Sequence, residues 1–213
     1  MVVRHGETDL NKARVFQPEH TPLSERGAQQ ARLVARRLKD LNVVKVLVSD
    51  YARTLETALH ITSQLARPVA VETTALLRER SFGDFRGMRI EDVMRMPGVA
   101  LFRADYEPPN GESWSAFHER AAKAWEWVLG HARRDVKSAH DVVVVVTHGL
   151  VLTAFARRIW RAVPDKPFEN TSVSVVSVDA PHRVSKLNCA EHLPHELQDH
   201  GSVFSEQGKA AKL

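Results

Sequence analysis

Residues 142–146 are five consecutive valines, set between Asp141 and Thr147. A strand with one wet face alternates apolar and polar side chains. An unbroken β-branched run is stable only where both faces are covered, as in the centre of a parallel sheet. The run therefore demands helices on both sides, and the rest of the chain supplies strands and helices in alternation. Val2-Val3 ends a short first strand, and residues 10–21 read as a loop. Ser24 is an N-cap for an amphipathic helix over 28–41, followed by a strand over 43–49. A helix over 54–65 stops before Pro68, and 69–71 is a short strand. The charged segment 76–96 reads as a loop passing into a short helix at 90–96. Pro108-Pro109-Asn110-Gly111 makes a turn, and Ser113 caps a long helix carrying Trp114, Phe117, Trp125 and Val128. Residues 150–160 are helical, 172–178 form a strand and 184–187 a further one. This predicts an α/β fold, a three-layer αβα sandwich whose mostly parallel central sheet is flanked by helices.

At 213 residues and 43% apolar content, one domain over 1–195 is expected, with a polar tail over 196–213. Thirty Lys and Arg stand against 26 Asp and Glu, and no dense basic run is interleaved with aromatics. That excludes nucleic acid as an expected partner and suits small anionic substrates. Eleven histidines show no ligand spacing, so no metal is expected. One cysteine, Cys189, excludes an internal disulfide and fits a reducing compartment. No apolar stretch is long enough for a bilayer and no signal segment opens the chain, so a cytoplasmic location is expected. The terminal Ala211-Lys212-Leu213 has the small-basic-leucine pattern of a peroxisomal address, which makes peroxisome or glycosome the eukaryotic alternative. Oligomeric state stays open, a homodimer included.

Two histidines end apolar runs. His5 stands in Arg4-His5-Gly6-Glu7-Thr8 after Val2-Val3, and His148-Gly149 follows the valines. Both therefore lie at the C-terminal ends of strands, where parallel α/β sheets present their chemistry. Arg4 beside the first implies an anionic ligand, because guanidinium matches phosphate or carboxylate with paired hydrogen bonds.

Further motifs fall in order: Asn11, then Leu76-Leu77-Arg78-Glu79 with Phe82-Gly83, then Pro108 to Ser113, then Thr147-His148-Gly149. With the opening pentapeptide, they resemble the histidine phosphatase superfamily in its phosphoglycerate-mutase-like branch, over about residues 1–192. The resemblance implies that His5 is the nucleophile and forms a phosphohistidine, its other ring nitrogen held by a backbone carbonyl. Arg4 and Arg53 match the arginines that grip the phosphate, and His148 a protonated donor to the transferring group. Asn11, Thr8 and Gly149 belong to the same phosphate-binding set. Glu79 matches the general acid, which needs a raised pKa. Leu76, Leu77 and Phe82 would help desolvate it, Arg78 and Arg80 would oppose if they turn inward, and Asp84 and Glu112 are the alternatives. Arg86, where the family commonly has an acid, would add an anion contact suited to a bisphosphate.

The implied activity is hydrolysis of small phosphomonoesters, sugar phosphates or phosphoglycerate in type, with no cofactor. The segment between Glu79 and His148 is shorter than in the glycolytic mutases it resembles, which leaves water access to the phosphoenzyme. A bisphosphoglycerate-dependent mutase is the alternative, and a non-catalytic phospho-ligand binder is a third reading.

Overall fold

The computed structural model describes residues 1–198. Six strands form one sheet: β1 (Val2–Arg4), β2 (Asn42–Ser49), β3 (Ala70–Thr74), β4 (Asp141–Thr147), β5 (Val173–Val176) and β6 (Val184–Cys189). Their order is β3-β2-β4-β1-β5-β6. The first four run parallel, β5 pairs antiparallel with β1, and β6 antiparallel with β5. The valine run is thus β4, held between β1 and β2. Its period-two alternation splits the core. Val144 and Val146 pack with Val34, Ala35, Leu38, Ala58 and Ile61, the inner faces of α2 (Glu25–Leu38) and α3 (Ala52–Thr62). Val143 and Val145 pack with Trp125, Val128, Leu152 and Phe155. Those come from α5 (Trp114–Asp135), α6 (Gly149–Ala154) and the π-helical turn Phe155–Trp160 that continues α6. This is the expected layered sandwich, with a mixed sheet.

Local expectations change near both ends of the described chain. The segment read as a loop after Thr8 holds α1 (Asp9–Lys12), because Thr8 caps it and Asn11 bonds back to Thr8 in a capping box. The chain at 196–198, expected as tail, is docked on α2. Arg26 donates to the carbonyls of Glu196 at 2.8 Å and Gln198 at 2.9 Å, and Gln30 donates to that of Leu197 at 2.8 Å. The remaining tail, with Ala211-Lys212-Leu213, lies outside the described residues.

A third apolar cluster, Phe16, Phe82, Phe85, Ile90, Val93 and Leu101, joins the chain after α1 to the insert around α4 (Ile90–Met94). An antiparallel bridge between Val15 and Arg89 ties the two segments. No described helix is long and apolar enough to cross a membrane.

The sheet fixes where chemistry collects. The chain leaves β1 toward α2 on one face and leaves β4 toward α6 on the other, so a crevice opens between the carboxyl ends of β1 and β4. Arg4 and Thr147 are register partners, and His5 N–H donates to the Thr147 carbonyl at 2.9 Å. The next residues, His5 and His148, are therefore side by side.

Candidate active site

His5 is 3% exposed. Its Nδ1 lies 2.7 Å from the Gly6 carbonyl oxygen. A carbonyl only accepts, so Nδ1 carries the proton and Nε2 keeps its lone pair. Burial, then the charges of Arg53 and Arg4, hold the imidazole well below its ordinary pKa, against the Gly6 carbonyl. The ring is neutral at physiological pH. Its backbone is equally fixed: Asn170 Nδ2 donates to the His5 carbonyl at 2.9 Å, and Gly6 N–H donates to Thr57 Oγ1 at 3.0 Å.

His148 is fully buried, with its ring centroid 5.2 Å from that of His5 at 61°. Its Nε2 is 2.9 Å from Ser49 Oγ, at the end of β2. Its Nδ1 has no hydrogen-bond partner among the described residues. Burial, then Arg53, His5 and Arg4, push its pKa well below normal. Protonation of this ring thus requires an anion close by to offset the arginines.

The two cations come from different elements. Arg53 sits in the first turn of α3, 2% exposed, donating to the Pro18 carbonyl at 3.2 Å. Burial pulls its pKa down to about 10, so it keeps its charge at neutral pH. Arg4, the last residue of β1, donates to the Phe168 carbonyl at 2.6 Å, and a Cβ added at Gly149 would lie 3.5 Å from its Nε.

Glu79 completes the group. Its Oε2 accepts from Leu150 N–H at 3.1 Å, in the first turn of α6, and its Oε1 from Arg80 N–H at 3.2 Å. Burial nevertheless raises its pKa above the usual carboxylate range, with those N–H groups and Arg53 opposing. The neighbouring arginines are drawn elsewhere. Arg78 forms a bidentate pair with Asp50 at 2.6 and 2.7 Å. Arg80 lies 4.1 Å from the Trp114 ring and 5.0 Å from that of Phe82, and donates to the Glu112 carbonyl. The alternative acids are also engaged. Glu112 is paired with Arg120 and accepts from Ser81 N–H, while Asp84 accepts from Asn110 at an exposed turn.

Arg4, His5, Asn11, Arg53, Glu79 and Gly149 line one cavity of about 830 Å³, with His148 directly behind His5. Thr8 is not on its wall. It is fully buried, its hydroxyl bonded to Asn11 and Gln17, so the expected ligand contact is replaced by the capping of α1. Arg86 reaches the cavity already engaged, 3.0 Å from Glu19 Oε1 and 3.1 Å from Ser81 Oγ, which corrects its reading as an open anion contact. Sequence reasoning missed Asn170, which reaches the site through a loop far along the chain. It also missed Tyr51, whose ring packs 5.3 Å from His148 and 4.9 Å from the Arg53 guanidinium. Its position directly after Ser49-Asp50 was the available signal for Tyr51; Asn170 had none.

Residues 1–189 match the family profile described as the histidine phosphatase superfamily (branch 1). The chain is 40% identical over 117 residues to the fructose-2,6-bisphosphatase TIGAR B of Danio rerio, covering 53% of this chain and 46% of that protein. It is 34% identical over 184 residues to the metal-independent phosphoserine phosphatase of Arabidopsis thaliana, covering 83% and 74%. The solved structure of Bacillus stearothermophilus YhfR superposes with a TM-score of 0.75 at 26% identity, covering 90% of this chain and 96% of that one. The chain thus spans about half the length of the first of these proteins and most of the other two.

Proposed function

The chain belongs to the histidine phosphatase superfamily (branch 1), and on that premise we propose that it hydrolyses small-molecule phosphomonoesters through a phosphohistidine on His5. The observation that carries this is the neutral His5 ring, its Nδ1–H spent on the Gly6 carbonyl and its Nε2 left as the nucleophile. In the first step Nε2 bonds to phosphorus, the ester P–O bond breaks, and Glu79 gives its proton to the departing alkoxide. In the second, Glu79 takes a proton from water, the water oxygen bonds to phosphorus, and the P–N bond breaks to release inorganic phosphate. Arg4 and Arg53 offset the charge that builds on the phosphoryl oxygens. The dianion raises the pKa of His148, so that a protonated Nδ1 donates to the same group, with Ser49 steadying the ring through Nε2. These side chains supply the positive charge the scheme needs, so no step runs through a metal. Cys189, a free thiol, suits a reducing compartment such as the cytoplasm.

The test is phosphate release from p-nitrophenyl phosphate and 3-phosphoglycerate in the presence of EDTA. Incubation with a ³²P-labelled ester should label the protein with the acid-labile, alkali-stable behaviour of a phosphoimidazole. His5→Ala is expected to abolish the label and lower kcat/KM by roughly four orders of magnitude or more. Undiminished turnover in that variant overturns the proposal. Isomerisation of 3-phosphoglycerate with a bisphosphate primer and no phosphate release replaces it with the mutase reading.

A further inference from the structure

Beyond the phosphate cradle the cavity has a character of its own. Leu10, Val15, Phe16, Phe82, Ile90 and Leu150 line it. Phe16, Phe82 and Ile90 belong to the third apolar cluster, with Leu150 packed against it, so this wall is backed by a dry core. The cations of the same region are matched one by one. Arg14 lies 3.1 Å from Glu91, Arg26 3.2 Å from Glu7, and Arg86 3.0 Å from Glu19. Arg80 is taken up by backbone carbonyls and the Trp114 ring. Among the described residues, Lys12 is the lining cation outside the cradle whose side chain has no hydrogen-bond or ion-pair partner.

Charge decides against a second phosphate here. Such partly exposed ion pairs are weak and a ligand could reopen them. The carboxylate, however, stays within a few ångströms of its guanidinium and cancels the field that would attract a further dianion. A single lysine on a flexible stem replaces neither the paired geometry nor the charge of an arginine cluster. An apolar body, in contrast, gains from contact with the aliphatic and aromatic wall.

We propose that this site selects monophosphate esters of apolar ring- or chain-bearing alcohols and discriminates against bisphosphorylated sugars. The selectivity rests on the phosphatase reading, since it concerns the leaving group of that reaction.

Benzyl phosphate, glycerol 3-phosphate and fructose 1,6-bisphosphate test it, because all three release primary alkoxides and differ chiefly in what the cavity wall meets. kcat/KM for benzyl phosphate is expected to exceed that for glycerol 3-phosphate by roughly 10- to 100-fold, the factor that follows from moving a phenyl ring out of water. Fructose 1,6-bisphosphate should do no better than glycerol 3-phosphate. Glu19→Gln, outside the cavity wall, unmasks Arg86 and should raise kcat/KM for the bisphosphate several-fold. Val15→Thr, nearly isosteric, should weaken benzyl phosphate alone. A bisphosphate preferred over benzyl phosphate, or left no better by Glu19→Gln, overturns the selectivity. Equilibrium binding of benzylphosphonate, whose P–C bond is not cleaved, separates the two failures. No turnover of any ester with benzylphosphonate still preferred over the bisphosphate removes the phosphatase reading alone. Equal binding of the two removes the selectivity.

Discussion

Glu79 holds two opposed influences, and their balance sets its role. Two N–H groups and Arg53 favour the carboxylate, burial favours the acid, and burial prevails. A proton donor is needed in proportion to the basicity of the oxygen that leaves. Glu79→Gln should therefore cost roughly 10²- to 10⁴-fold in kcat for an alkyl phosphate. Phosphorylation of His5 by p-nitrophenyl phosphate should lose far less, since p-nitrophenolate departs without help. Rapid-mixing measurement of the first p-nitrophenolate burst isolates that step, because later turnovers also require Glu79 as base. A burst slowed as much as alkyl ester turnover would remove Glu79 from the proton-donating role. The raised pKa also predicts that this alkyl ester rate falls as pH climbs past the Glu79 value, a limb absent from the Gln variant.

At the scale of elements, the loop that follows His5 and α2 meet backbone to backbone. A Cβ on Gly27 would lie 1.9 Å from the Glu7 carbonyl oxygen, and one on Gly6 2.6 Å from that of Gly27. Neither neighbour is a side chain that can swing away. Ser24 caps α2 and is also bonded to Glu7, so the contact is fixed at both ends. Gly27→Ala should destabilise the fold by about 2–3 kcal/mol. For a chain of this size that is a fall in Tm of ~5–10 °C. Activity should drop with it, because the displaced backbone directly follows His5; Gln29→Ala on the exposed face of the same helix is the control, read by calorimetry and phosphate release. An unchanged Tm would mean that the loop yields freely. This contact is a good measure of what sequence can reveal. The strands around residues 142–146 and the histidines that end them were legible, since burial on both faces leaves a mark on composition. The close approach of Gly6 and Gly27 left none, because any glycine looks alike along the chain. The same holds for Arg120, whose guanidinium holds the carbonyls of Leu76, Arg78 and Glu79 across more than 40 residues. β3 came later than expected, at Ala70–Thr74, because an edge strand with a half-exposed face carries polar Glu72 and Thr73 rather than an apolar run. α1 hid because its capping partner is Asn11, where Glu or Gln is the usual signal.

The whole molecule stores His5 and His148 in the neutral form, and this ties stability to pH. His5 and His148 sit well below their ordinary pKa through burial and the charges of Arg53 and Arg4, and His192 is held at about 4 by burial and Arg37. In the unfolded chain each takes up a proton near pH 6.5. Below that value the unfolded state binds protons that the folded state refuses, so stability must fall as pH drops. The contribution is fully present above about pH 6.5 and is lost on descent toward the folded pKa values, near 4 for His192. Glu79 acts with the opposite sign, since its raised pKa lets the folded state gain a proton first. One carboxyl does not offset three imidazoles. Carboxylates with lowered pKa, such as Asp50 and Asp141, add their own loss only below the ordinary carboxylate range, so the two windows are separable. Tm should decline from pH 7 to 5, and His148→Gln should flatten that decline because it removes one titrating group. Saturating inorganic phosphate should raise Tm by mass action and flatten the slope further, as its charge offsets the arginines and lets His148 accept a proton in the folded state. Calorimetry across pH 5.0–7.5, with and without phosphate, reads both effects. A Tm that stays level over that range, or an equal slope in His148→Gln, would mean that the imidazole behind His5 is not held neutral by the cradle.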